Sequence, residues 1–384
     1  MRDTDQVVRN MNYNNIHVSK VYGRFSDIDF RGDSIFAQIT NLSAVEQCGI
    51  VLENLTTRAV VAPTLLRCDS IYLKTPNSVV QGNLSFNYTT WEDYNDFINK
   101  MYIKGKLIDS TYVSFKDIAY FAEELNGFHE GVYLKGKVRG LINDLSGSGM
   151  EVHYRQHTRF KGDISITGLP DIDKSYIHFD AEKLSTSKSD LEKVPLPPFD
   201  KPTYLELPDN ISRLGVVSYK GKFDGFIHNF ATYGTFRTDI GSIKTDLQVN
   251  NTVAGTPVKY SGSVSTNNFD FSKIFTKSNI VGPISLNAKI VGQGLTLREL
   301  DTRFDGVVQS ITYNNYKYDD LKIDGEFQRK VFKGQLVSKD SSANFDFNGT
   351  IDFNNKLPRF DFISTINNFD LAKTHFATKQ LNGR

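Results

Sequence analysis

Alternation of apolar and polar residues constrains this chain more than any other feature. Residues 345–353 read Phe-Asp-Phe-Asn-Gly-Thr-Ile-Asp-Phe. Phe345, Phe347, Gly349, Ile351 and Phe353 face one way, and Asp346, Asn348, Thr350 and Asp352 the other, because successive strand side chains point to opposite faces. The same period runs through Leu321, Ile323, Gly325 and Phe327, through Phe160, Gly162, Ile164 and Ile166, and through Ile177, Phe179 and Ala181. Strands with one wet face belong to antiparallel or open sheets rather than doubly wound parallel ones.

A short motif recurs in which an aromatic residue and an apolar one flank a central glycine. Copies are Phe160-Lys-Gly162-Asp-Ile164, Tyr219-Lys-Gly221-Lys-Phe223, Tyr260-Ser-Gly262-Ser-Val264, Phe332-Lys-Gly334-Gln-Leu336 and Phe347-Asn-Gly349-Thr-Ile351. Glycine inside a strand marks a bend, a bulge or a close backbone approach. Repetition on one face fits a sheet that curls over that face; large–small alternation in a sandwich core is the other reading. A longer echo joins Asn267-Asn-Phe-Asp-Phe-Ser-Lys273 to Asn367-Asn-Phe-Asp-Leu-Ala-Lys373, with Ser114-Phe-Lys-Asp-Ile-Ala119 as a looser relative. Such self-similarity predicts an array of like units.

The fold class expected is therefore all-β: an elongated, curled repeat sheet with an apolar interior and a few short helices. Helical spacing of Trp91, Tyr94, Phe97, Ile98 and Met101, capped by Thr90 with Asp93, predicts a helix near 90–101. Phe115, Ile118, Ala119, Ala122 and Leu125 predict a second near 114–126, both as caps or plugs on the sheet. Prolines 195, 197, 198, 202 and 208 exclude a central strand. The expected organisation is a first array over 1–184, an exposed crossover over 185–210 and a second array over 211–384.

Composition narrows the function. Lys plus Arg (45) balance Asp plus Glu (44), so no basic excess points to nucleic acid. The apolar content is carried by 28 Phe and 18 Tyr, which suits pleated surfaces and argues against disorder. Cys48 and Cys68 make no disulfide framework; they are open to pairing in an oxidising compartment or to standing as idle thiols. No stretch reaches the ~20 apolar residues of a membrane span. Residues 1–6 lack the apolar segment of a signal peptide, and strand-like sequence follows soon after, so a piece of a longer protein is the expectation.

No catalytic, cofactor or metal signature is present. His153 and His157 are too far apart along a strand to share one ion. Asp171-Ile-Asp173 and Asp319-Asp320 lack the glycine and terminal glutamate of a calcium loop. A carbohydrate-cleaving β-helix would need paired carboxylates; Asp239 and Asp246 are placed on turns in this reading. The chain is expected not to be an enzyme.

The stretch Tyr219-Lys-Gly-Lys-Phe-Asp-Gly-Phe-Ile-His-Asn-Phe-Ala-Thr-Tyr-Gly-Thr-Phe-Arg-Thr-Asp-Ile-Gly-Ser-Ile-Lys-Thr-Asp-Leu247 resembles the central region of TamB-type proteins. These are inner-membrane subunits of the translocation and assembly module, within the AsmA-like group of bridge-forming lipid transporters. Ile164-Ser-Ile-Thr-Gly-Leu-Pro-Asp171, Tyr260-Ser-Gly262, the turn at 268–271 and Val291-Gly-Gln-Gly294 agree, so the resemblance covers about 100–376. It implies a curled sheet with an apolar groove and a periplasmic location, the membrane anchor lying outside this chain. It also implies phospholipid acyl chains as cargo, assistance in outer-membrane protein assembly and secretion, and an outer-membrane barrel partner engaged through regions absent here.

A groove also follows from the residues. An uncovered apolar strip far exceeds what a soluble monomer ordinarily exposes. Its candidate lining is Phe160, Ile164, Ile166, Phe223, Leu321, Ile323, Phe327, Phe345, Phe347, Ile351 and Phe353. The competing expectation is a structural or adhesive β-repeat with a closed core.

Overall fold

The computed structural model describes residues 10–12, 15–251, 255–275, 281–294, 296, 299–355 and 358–377. The protein is all-β with a few short helical turns. Two compact units divide it, Met1–Leu207 and Pro208–Arg384.

The first unit contains β1 (Val18–Arg31), β2 (Ser34–Glu46), β3 (Val51–Ala62), β4 (Leu65–Lys74), β5 (Val79–Asn87), β6 (Tyr102–Leu107) and β7 (Tyr112–Ser114). It continues with β8 (Gly131–Leu141), β9 (Asp144–Tyr154), β10 (Thr158–Thr167) and β11 (Tyr176–Ser187). β1 to β5 pair antiparallel with their sequence neighbours. β6 and the short β7 both pair with β5 on one side and β8 on the other, and the meander resumes through β11. The second unit is a simple antiparallel meander. Its strands are β14 (Val216–Phe226), β15 (Asn229–Thr238), β16 (Gly241–Asn250), β17 (Lys259–Phe269), β18 (Val281–Gln293), β19 (Asp301–Tyr313), β20 (Tyr316–Gln328), β21 (Val331–Lys339), β22 (Ala343–Asp352) and β23 (Arg359–Phe369).

The boundary between the units falls inside the proline-rich segment. β11 extends to Ser187, past the expected end of the first array at 184. A one-turn helix follows at Lys188–Leu191, then a two-stranded ribbon of β12 (Pro195–Leu196) with β13 (Thr203–Tyr204). Asp190 holds this end. Its carboxylate accepts from the amides of His157 and Thr158 at 2.7 and 2.8 Å.

The helices are shorter than their spacing suggests. The first is a 3₁₀ segment, Trp91–Asp96, followed by a single α-turn, Phe97–Lys100. The second is one α-turn, Phe115–Ile118, then a 3₁₀ turn, Glu123–Leu125. Segments this short lie below the length at which a helix sustains itself, so packing on the sheet must hold them. The capping carboxylate is as expected: Asp93 accepts from the Thr89 and Thr90 amides at 2.7 and 3.0 Å.

The long echo has one structural meaning. Phe269 and Phe369 close β17 and β23, and the aspartate after each begins the next turn. The Asp270 amide donates to Ile240 and the Asp370 amide to Ser342, both at 2.8 Å. Asp270 Oδ1 accepts from the Ser272 amide at 3.1 Å, and Asp370 Oδ1 from the Ala372 and Lys373 amides at 3.1 and 3.0 Å.

Glycine permits close backbone approach in two ways. Gly162 has φ +152° at a register shift in β10, and a Cβ there would lie 2.1 Å from the Asp180 carbonyl oxygen. Gly334 stands opposite Gly325 and Gly349; a Cβ on it would lie 2.5 Å from the Gly325 Cα. Adjacent backbones approach on the inner face more closely than side-chain-bearing residues permit.

Candidate functional site

Cross-strand register turns the alternating residues into long rows of mainly apolar residues and glycine on each unit's inner face. In the first unit one row runs Phe30, Ile35, Val61, Leu66, Phe86, Ile103, Gly140, Leu145, Ile166, Ile177 from β1 to β11. The next runs Ala37, Ala59, Cys68, Leu84, Gly105, Val138, Gly147, Ile164, Phe179 from β2. In the second unit a row runs Phe223, Thr232, Leu247, Gly262, Ile290, Phe304, Gly325, Gly334, Gly349, Phe362. Residues directly opposite in an antiparallel pair share a face, so each row is a strip of one surface.

A large apolar space lies in the first unit. A cavity of about 640 Å³ sits between the inner face of β2–β6 and the insertion at 91–125. Leu66, Leu73, Leu84, Phe86 and Ile103 form its floor, and Tyr94, Phe97, Ile98, Ile118 and Phe121 its roof. The Phe86 and Phe97 rings are 5.9 Å apart, and Phe97 stacks on Phe121 at 6.5 Å. Its few polar side chains are held by one another. Asp117 accepts from Thr75 Oγ1 at 2.6 Å, from Asn77 Nδ2 at 2.9 Å and from Ser78 Oγ. Ser78 Oγ in turn accepts from the Ser114 amide at 3.0 Å. At the other end, Glu46 accepts from the His17 and Cys48 amides at 3.1 and 2.6 Å. Burial raises the Glu46 pKa, but donation from Cys48 and His17 outweighs it and leaves the carboxyl below its ordinary value.

None of the candidate residues read from the sequence lines this cavity. Phe160, Ile164 and Ile166 share β10 and the inner face, half-buried, and the rows through Ile164 and Ile166 lead to it. Leu321, Ile323, Phe327, Phe345, Phe347 and Ile351 lie on the inner face of β20–β22, in register. Phe223 shares that face on β14. Phe353 lies just past β22, with its ring 6.3 Å from Phe327. Phe347 is 7% exposed, and its ring stacks on Phe362 at 4.9 Å. Asp246 is a correction to the expected turn position, since it sits mid-strand in β16 opposite Ser263 and Tyr233.

Both thiols are free and buried. Cys68 stands in the inner-face row between Ala59 and Leu84. Cys48 is pushed up to about 11, first by burial and then by its hydrogen bond with Glu46. No cluster of His, Cys, Asp or Glu able to hold a metal occurs among the described residues. No helix among them is long and apolar enough to cross a membrane. Comparison with family models, with curated proteins and with solved structures finds no match.

Proposed function

We infer that the chain is a segment of a lipid-carrying scaffold whose inner face receives acyl chains. One observation carries the reading: the roofed cavity of about 640 Å³ is walled almost wholly by apolar side chains and is continuous in register with apolar rows along the sheet. Each methylene removed from water there contributes about 0.8 kcal/mol, and no single residue is indispensable, because the driving force scales with area. The resemblance to TamB-type proteins supports the same reading. With it come a periplasmic setting, transfer of phospholipid between two membranes or help to outer-membrane protein assembly, and a barrel partner met outside this chain.

A second reading, a structural β-repeat that fills its own core, is favoured in the second unit by Phe332 and Phe347, buried at 5% and 7% exposure. The two readings divide on occupancy. Solvent extraction and mass spectrometry of the purified chain should return bound lipid. Filling the cavity with Ala122→Trp, or with Ala44→Phe from the opposite wall, should reduce it severalfold. Lipid-free protein, or lipid indifferent to both substitutions, would favour the structural reading.

A further inference from the structure

The outer face of the first unit carries an unneutralised block of cations. Lys104 and Lys106 on β6 stand directly opposite Arg139 and Lys137 on β8. All four are exposed. Their next neighbours across the sheet are neutral: Ser85 and Asn83 on β5, Ser146 and Ser148 on β9. Like charges directly opposite one another in a sheet are destabilising. At several other outer-face positions cations meet carboxylates. Lys161 sits 3.5 Å from both Glu151 and Glu182, Arg303 bridges Asp324 and Glu326, and Lys135 reaches Asp109 at 2.8 Å. Within the block no ion pair to another described residue is made; Lys104 lies over the Tyr102 ring at 5.5 Å. At the margin Arg67 is already neutralised by Asp69 at 3.1 Å.

A shallow dip runs over these residues, with Asn83 and Ser85 on one wall and Lys137 and Arg139 on the other. Opposed side chains are ~5 Å apart across the strands and ~7 Å apart along them. Four cations at that spacing match an anion with two or more charged oxygens groups close together, and neutral hydroxyls beside them add hydrogen bonds without repulsion. We propose that this block is a binding site for multiply charged anions of the phosphate class. It opens away from the apolar cavity, because Lys104 and Lys106 alternate with Ile103 and Leu107, whose side chains point inward. The site is therefore independent of the acyl-binding reading.

The test uses the full chain, low salt and two phosphate sources. Pyrophosphate is followed by broadening of its phosphorus resonance. Phosphatidylcholine vesicles with and without phosphatidic acid are followed by co-sedimentation. Wild-type protein should bind at least one probe, and raised salt should weaken binding. Lys106→Gln with Lys137→Gln should lower affinity about tenfold or more, whereas Lys161→Gln should not. Lys137→Glu should do the same while raising the thermal midpoint, since it converts an opposed like pair into an opposite one; this separates lost binding from lost folding. Pyrophosphate binding that the variants lose assigns a soluble phosphate, and binding confined to phosphatidic acid vesicles assigns a headgroup. Binding of neither probe, or binding that survives both variants, overturns the proposal.

Discussion

The Asp117 carboxylate and the Thr75 hydroxyl are 2.6 Å apart, and this bond ties the insertion that roofs the cavity to the turn between β4 and β5. Asn77 and Ser78 join the same carboxylate, so one buried side chain satisfies three donors. Asp117→Ala would take this acceptor from the buried Thr75 and Ser78 hydroxyls and from the half-buried Asn77 amide. Stranded buried polar groups cost about 1–3 kcal/mol each at most sites. The expected outcome is a destabilisation of about 2–4 kcal/mol in denaturant titration. Protease cleavage should also concentrate within 89–126 before the rest of the chain is cut.

Gly334→Ala tests the close backbone approach. Its new methyl would lie 2.3 Å from the Asp324 carbonyl oxygen and 2.5 Å from the Gly325 Cα, both backbone atoms that cannot swing away. Overpacking of this kind costs about 1–3 kcal/mol. Gly32→Ala is the comparison: no atom lies within 4 Å of its Cβ, so only the strain of φ +57° is felt. Thermal unfolding should rank Gly334→Ala below Gly32→Ala in stability.

Acid should act through Asp190 in one unit and Asp340 in the other. Burial raises both pKa values, but donated hydrogen bonds outweigh it and hold both below the ordinary carboxyl value. For Asp340 the donors include the Ser342 and Ala343 amides and the Tyr316 hydroxyl, at 2.7, 3.1 and 2.8 Å. A folded pKa below the unfolded one means stability that is full above the unfolded value near 3.9 and lost as pH falls through the folded one. Unfolding free energy should therefore be flat from neutral pH to about 5 and decline below 4. Asp340→Asn should be less stable at pH 7 and should show a shallower acid decline.

The thiols offer a check on packing. Cys48 and Cys68 are buried and unpaired, and burial raises both pKa values. Thiolate is the reactive form. A thiol reagent at neutral pH should modify neither residue in folded protein within the time that both react after denaturation. Prompt reaction of Cys68 in folded protein would show that the row between Ala59 and Leu84 is open to solvent.

How far the sequence foretold this structure differs between the units. From Leu321 to the end of β20 and from Phe345 through β22 the alternation is uninterrupted, and Leu321, Ile323, Phe345 and Ile351 fall on the inner face as their period requires. In β2 to β4 the alternation is broken by register shifts near Asn41, Thr57 and Ser70, two of which carry positive φ. A bulge moves the later residues to the other face, so Leu52, Leu66 and Leu73 show no clean period although they floor the cavity. The roof was legible as apolar, but its helical spacing overstated its length, because Met101 is fully buried and β6 begins one residue later. The cation block was invisible to composition. Net charge is +1, and only the pairing of β6 with β8 sets Lys106 against Lys137.

Site-specific photo-crosslinking to lipid tests directly whether the inner face receives acyl chains. A crosslinker at Phe86 faces the cavity, one at Ser85 faces outward on the same strand, and one at Phe347 lies under Phe362. Strong capture of an acyl chain at Phe86, with little at Ser85 or Phe347, is the predicted result. No capture at Phe86 in lipid-replete protein, or equal capture at Phe86 and Ser85, would contradict an inner face that receives acyl chains.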